Sequence, residues 1–238
     1  MIHIFPCLSD NYGFLLHEPA SGLTASIDSP DGHVISQKCR ELGYTLTHIL
    51  NTHHHFDHVG GNAMLKKEFD LKIIGPQAED GRIPGLDEAV NGGDIIPFGD
   101  FDIHVLHTPG HTKGHCAYYI PQVDSVFVGD TLFALGCGRL FEGTAEDMYE
   151  SLKKLAALPA KTNVYCAHEY TLSNGKFALS VDADNADLNA YMDEVVAKRN
   201  AGEPTVPTTI AKELAANPFM RAPTPQILGD IRRAKDNF

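Results

Sequence analysis

The sequence predicts an α/β protein with stacked sheet and helix layers, followed by a helical C-terminal domain. Three observations point there. Across the first two thirds, short apolar runs alternate with turn residues, the pattern of successive strands. Windows of helical spacing lie between these runs. After about His168 the texture becomes helical alone, which sets residues 1–168 apart as a sheet-bearing domain and 169–238 as a helical one.

The elements follow in order. The runs at 12–16, 47–50, 71–74, 103–106, 117–120 and 125–128 are candidate strands. Helical windows cover 34–42 and 61–69. A third runs over 145–158, where Met148, Leu152 and Leu155 share a face, Thr144 and Asp147 form a capping box, and Pro159 marks the end. In the helical domain Leu188, Tyr191, Met192, Val195 and Arg199 keep helical spacing up to the natural stop at Gly202. A proline-rich connector at 204–207 precedes another window at 210–216. The tail from Gln226 ends in the basic residues Arg232, Arg233 and Lys235.

Bulk properties exclude several functions. With 31 acids against 19 bases the formal charge is -12, so a phosphate backbone or an anionic bilayer repels the chain and neither nucleic acid nor membrane is an expected partner. No segment approaches the roughly 18 uninterrupted apolar residues of a membrane helix. Met1 leads at once into a run broken by Pro6, Ser9, Asp10 and Asn11, so the expected location is cytoplasmic. The five cysteines are odd in number and lack CxxC spacing, which argues for scattered core thiols over a disulfide framework or a thiolate zinc site.

The chain is unusually rich in histidine, with 13 residues, and neutral imidazole is the commonest metal ligand. Four candidate donors, His53, His55, Asp57 and His58, fall within six residues directly after an apolar strand. In an extended segment alternate side chains point the same way, so His53, His55 and Asp57 can converge while a turn brings in His58. Three further segments repeat the design of a short apolar run followed by a metal-capable residue: His111 after 103–106, Asp130 after 126–129 and His168 after 164–167. Loops at one edge of a sheet can gather such distant positions. Seven donors are too many for one tetrahedral ion and suit two, with Asp130 the candidate bridge. Nitrogen and oxygen donors accept zinc, iron or manganese.

Other features carry less. His54 points away from its neighbours in an extended segment, which fits packing or a supporting hydrogen bond. His115 stays open. His3, His17, His33, His48, His104 and His107 are ordinary core or surface histidines. The glycines Gly136, Gly138 and Gly143 match no phosphate-cradling motif and belong to a substrate-side loop.

The run Thr-His-His-His-Phe-Asp-His at 52–58 resembles the THxHxDH signature of the metallo-beta-lactamase superfamily, which implies a four-layer αβ/βα sandwich. Segments at 6–12, 108–112, 129–133, 136–144 and 165–171, with the tail at 217–221 and 232–235, resemble the glyoxalase II, or hydroxyacylglutathione hydrolase, family. The resemblance implies that His53, His55 and His111 hold one divalent ion and Asp57, His58 and His168 another. Asp130 bridges them, with Asp57 and Asp130 as the catalytic carboxylates and zinc the foremost metal. It also implies hydrolysis of S-D-lactoylglutathione to D-lactate and glutathione by a metal-bridging hydroxide, the second step of methylglyoxal detoxification; the expected state is a monomer. Arg139, Phe141, Tyr170, Asn174, Arg232 and Lys235 are the implied substrate contacts. Phe141 departs from those members of the family that carry tyrosine there. The competing readings are a lactonase of the same fold, a mono-iron glutathione persulfide dioxygenase and a noncatalytic metal-binding module.

Overall fold

The structure is a computed structural model and describes residues 1–238. The backbone forms two units, Met1–His107 with Gly114–Val123, and Thr108–Lys113 with Asp124–Phe238.

In the first unit, apolar alternation produces β1 (Ile2–Cys7), β2 (Asn11–His17) and β3 (Thr24–Ile27), paired antiparallel. Helix α1 (Gly32–Leu42) starts on Asp31, whose carboxylate accepts from the His33 and Val34 amides, and stops at Gly43 in the left-handed region. It crosses to β4 (His48–Leu50), which pairs parallel with β3. Then come α2 (Phe56–Val59), α3 (Asn62–Phe69), β5 (Lys72–Pro76) and β6 (Glu88–Val90), with β5 parallel to β4 and β6 parallel to β5. The six strands lie in sequence order. Their core is a contiguous cluster including Phe5, Leu15, Ile35, Leu46, Ile49, Leu65 and Ile73. An antiparallel set, β7 (Ile95–Phe98), β8 (Phe101–His107) and β9 (Cys116–Ile120), completes the unit.

In the second unit β10 (Ser125–Gly129) leads into a two-stranded ribbon, β11 (Leu132–Phe133) and β12 (Gly136–Cys137). Helix α4 (Ala145–Ala156) carries the expected capping box of Thr144 and Asp147 and buries Met148, Leu152 and Leu155. Strand β13 (Asn163–Cys166) pairs parallel with β10 and is followed by α5 (Thr171–Val181) and α6 (Ala186–Asn200). Leu188, Tyr191, Met192 and Val195 of α6 pack with Leu135, Ala178 and Ala216. The chain ends in β14 (Thr208–Thr209), α7 (Ile210–Ala216) and α8 (Pro225–Asp236).

One local expectation needs correcting. The segment from His53 is extended only to His55, which precedes α2, where the His58 amide bonds back to the His55 carbonyl at 2.8 Å. Asp57 and His58 are therefore helical neighbours rather than members of an alternating row. All five cysteines are buried and free. Burial pushes the Cys7, Cys116 and Cys166 thiols up to about 12, so they are inert core groups. No helix is long and apolar enough to cross a membrane.

Candidate functional site

Parallel strand register decides where the polar side chains emerge. Ile27 of β3 lies opposite Leu50 of β4, so Asp28 and the Asn51-Thr52 pair leave the sheet side by side. The buried Asp28 carboxylate accepts from the Thr52 amide at 2.7 Å and the Thr52 hydroxyl at 2.9 Å, and stands 2.7 Å from His58 Nδ1. It holds this position with its own backbone in the left-handed region, φ 55°. His58 is thereby oriented through one ring nitrogen, leaving Nε2 3.5 Å from Asp57 Oδ2. Asn11 in turn donates to that Asp57 oxygen at 3.1 Å. His53 Nδ1 lies 3.0 Å from the Thr52 hydroxyl and its Nε2 lies 3.0 Å from His55 Nδ1. A ligand atom of His53 is also within 4.8 Å of one on His58.

His54 leaves this group. Its Nδ1 meets the buried Glu79 carboxylate at 2.6 Å, Arg82 Nη2 reaches its Nε2 at 2.6 Å, and the Gly114 amide donates to the other Glu79 oxygen. Both ring nitrogens are engaged, so the side chain anchors the loop. The fully buried His115 ring lies 4.9 Å from that of His53.

The second unit repeats the principle. Gly129 of β10 pairs with Cys166 of β13 after a bulge, so Asp130 and His168 follow from adjacent strand ends. Asp130 Oδ1 is 3.4 Å from His168 Nε2 and its Oδ2 is 3.4 Å from His111 Nε2. His111 sits on a segment tied down by the Ser151 hydroxyl donating to the Pro109 carbonyl. Its Nδ1 faces the Arg139 carbonyl at 2.9 Å. Gly138 is required here, because a Cβ would overlap the Asp130 carbonyl oxygen and press on His111.

These donors fit metal ions. When Nδ1 of a neutral imidazole is the proton donor, Nε2 carries a lone pair. In His58 and His111 that lone pair faces a carboxylate oxygen, an arrangement a shared cation satisfies. Two ligand atoms each about 2.1 Å from one tetrahedral ion sit about 3.4 Å apart, and the imidazole–carboxylate separations are 3.4 to 3.5 Å. Asp130 offers a different oxygen to each of two imidazoles, as a bridging carboxylate does.

The second unit also holds a cleft of about 660 Å³ lined by His111 and Asp130 together with Arg139, Phe141, Tyr170, Asn174, Arg232 and Lys235. The Tyr170 ring stacks on His168 at 4.7 Å and 3°. Asn174, one turn into α5, donates to the Ala134 carbonyl. Arg232 is buried and donates to the Cys137 carbonyl at 2.7 Å. Burial and then the neighbouring Arg232 and Arg139 guanidinium groups pull the Lys235 ammonium below its usual value, opposed by Asp236. The Phe141 ring lies 5.2 Å from that of His111.

The family profile described as Metallo-beta-lactamase superfamily matches residues 40–168, and the one described as Hydroxyacylglutathione hydrolase C-terminus matches 169–238. A hydroxyacylglutathione hydrolase of Maricaulis maris is 52% identical, covering all of this chain and 98% of that protein. One from Erythrobacter litoralis is 49% identical over 100% and 99% of the two chains. The chain belongs to the hydroxyacylglutathione hydrolase family. Among solved structures, ETHE1 from Myxococcus xanthus matches with a TM-score of 0.76 at 26% identity, over 98% of this chain and 90% of that one. A protein solved in a di-iron-bound form matches at 0.66 and 25%, over 92% and 99%. The fold is therefore the metallo-beta-lactamase fold with the family's helical C-terminal domain, and its His/Asp clusters are suited to divalent ions. Asp28, Glu79 and Asp236, which hold His58, His54 and Arg232, carry no motif in the sequence. Asp28 follows a short strand as Asp130 does, but Thr24–Ile27 is half polar and shows no apolar run.

Proposed function

We propose that the chain hydrolyses S-D-lactoylglutathione to D-lactate and glutathione, the second step of methylglyoxal detoxification, as a cytoplasmic monomer. Residues 1–168 supply catalysis, and 169–238 bind substrate together with Arg139 and Phe141 of the first domain. His53, His55 and His111 hold one ion and Asp57, His58 and His168 the other, with Asp130 shared; zinc is the first choice. Bound there, the two ions would activate water and polarise the thioester carbonyl.

The protein's own groups do the rest. Asp57, held by Asn11 and with its side chain 38% exposed, accepts a proton of the attacking water. Water oxygen adds to the thioester carbon, the C–S bond breaks, and its electron pair leaves with glutathione thiolate, which takes up a proton from solvent. An ordinary thiol has a pKa of about 8.5, so no acid at the sulfur is needed. Arg139, Arg232 and Lys235 meet the peptide carboxylates, while Phe141, Tyr170 and Asn174 pack along its body.

The observation that carries this reading is the coexistence of metal donors and three cations in one cleft. An acidic protein binds a dicarboxylate peptide only where local cations oppose its net charge. The test is metal analysis with product identification: about two ions per chain, with D-lactate and glutathione formed in equal amounts. Oxygen uptake with a glutathione persulfide and no thioester cleavage would overturn it.

A further inference from the structure

Besides Asp130 the cleft holds a second acid, Asp236, which stands among its three cations. Arg232, Lys235 and Asp236 lie three and four positions apart on α8, so they share a face. A single oxygen, Asp236 Oδ1, accepts from Arg232 Nε at 3.1 Å, lies 2.9 Å from Arg232 Nη2 and stands 3.7 Å from Arg139 Nε. The same carboxylate acts on Lys235. This is the set of N–H groups that an incoming peptide carboxylate would use.

We propose that Asp236 sets the affinity of the cleft, as an internal carboxylate that occupies N–H groups of Arg232 and faces Arg139 in the free protein and must be displaced by the ligand's carboxylate. The inference rests on the reading of this cleft as the glutathione site. Asp236 lowers the formal charge of the cluster from three to two and weakens its hold on every carboxylate, substrate and product alike. Product glutathione is thereby released from a site that would otherwise retain it.

A purely structural role for Asp236 predicts the opposite sign. If the acid only fixed Arg232, its loss would disorder the guanidinium and weaken binding. Arg232 has other restraints: it donates to the Cys137 carbonyl at 2.7 Å, its guanidinium lies over the Phe219 ring at 5.3 Å, and it is buried. It stays in place without Asp236, and displacement governs the outcome.

The experiment compares the metal-loaded wild type with Asp236→Asn and Asp236→Ala, measuring KM for the glutathione thioester and the Kd of glutathione by calorimetry. Removing one unit charge about 4 Å from a bound carboxylate in a water-like medium is worth about fivefold. Both variants should therefore lower KM and Kd by about that factor at low salt. The gain should vanish in about 1 M salt, where the screening length is about 3 Å. Unchanged or raised constants, or a gain indifferent to salt, would overturn the proposal. A wild type that binds glutathione but does not cleave the thioester would overturn only the proposed function. A wild type that fails to bind glutathione would overturn this inference.

Discussion

His58 and Arg139 are both assigned to the site, yet they are held in opposite ways. His58 is 1% exposed, with Nδ1 on Asp28 and Nε2 facing Asp57. The Arg139 side chain is 66% exposed and its ion pair with Asp236 spans 3.7 Å. Every proposed metal donor except His55 and Asp57 is buried, whereas the cleft also presents the exposed rings of Phe141 and Phe238. Buried donors have their conformational entropy removed by folding and their lone pairs aimed by neighbours. Exposed cations keep rotamer freedom and are screened by water and salt. The difference predicts a steep hierarchy of mutational effects.

The sharpest break of that contrast is Asp130→Ala. It removes both oxygens that face His111 and His168. Losing this carboxylate should forfeit several kcal/mol of metal-dependent stabilisation, about 10³-fold or more in kcat/KM, together with reduced metal content by elemental analysis. A fully loaded, normally active variant would remove Asp130 from the metal site.

Next is Asp28→Asn, which keeps the shape but weakens the acceptor that orients His58. Loss of an orienting partner costs about 10- to 100-fold in metal affinity, and competition with a chelator would measure it. An affinity equal to wild type would mean that burial alone fixes the ring. Thr52 also bonds to Asp28, so some loss of thermal stability should accompany the change.

The same contrast explains what the sequence revealed. His53, His55, Asp57 and His58 are legible because strand-to-loop chemistry is local, and Asp130 and His168 because each follows a short apolar run. Asp28 follows Thr24–Ile27, a strand whose polarity hides it, and its meaning depends on the Ile27–Leu50 pairing, which is not a local property. Strands of two residues, such as β11, β12 and β14, are too short to show a period. Glu213 is invisible for a related reason. It is fully buried and accepts from the Leu135 amide, the Thr208 hydroxyl and Asn217, partners scattered along the chain. In the cleft, Arg139 and Lys235 were legible only through resemblance to a family, since a solvated surface cation looks the same in sequence.

A smaller effect is expected from Lys235→Met. Removing one partly exposed charge should raise KM for the glutathione thioester by about fivefold and leave kcat nearly intact. Lys235 also gives a signed pH test. Its folded pKa lies below 10.5, through burial first and then Arg232 and Arg139. Between that lowered value and 10.5 Lys235 binds more protons in the unfolded chain, so its own contribution to stability rises with pH across the window. The destabilising contribution is fully present below the folded value. Over the same rise Lys235 loses charge and the wild-type KM increases. The raised cysteine thiols and buried tyrosines lower the stability of both proteins as pH rises, so the readout is the difference: into the alkaline range the wild type's denaturation midpoint and KM should both rise relative to the variant's, and parallel profiles would discard Lys235 as the titrating group.

The smallest change sharpens the comparison most finely. Phe141→Tyr adds one hydroxyl to a ring that is 62% exposed and 5.2 Å from the His111 ring. A new hydrogen bond to a ligand is worth about 0.5 to 1.5 kcal/mol when well formed, and exposure puts this one at the low end. KM should therefore fall by no more than about threefold, with metal content and kcat unchanged, because the added oxygen leaves the ring's contact with His111 in place. A large rise in kcat would contradict the division drawn here, since it would place an exposed cleft residue among the groups that act on the reacting carbonyl.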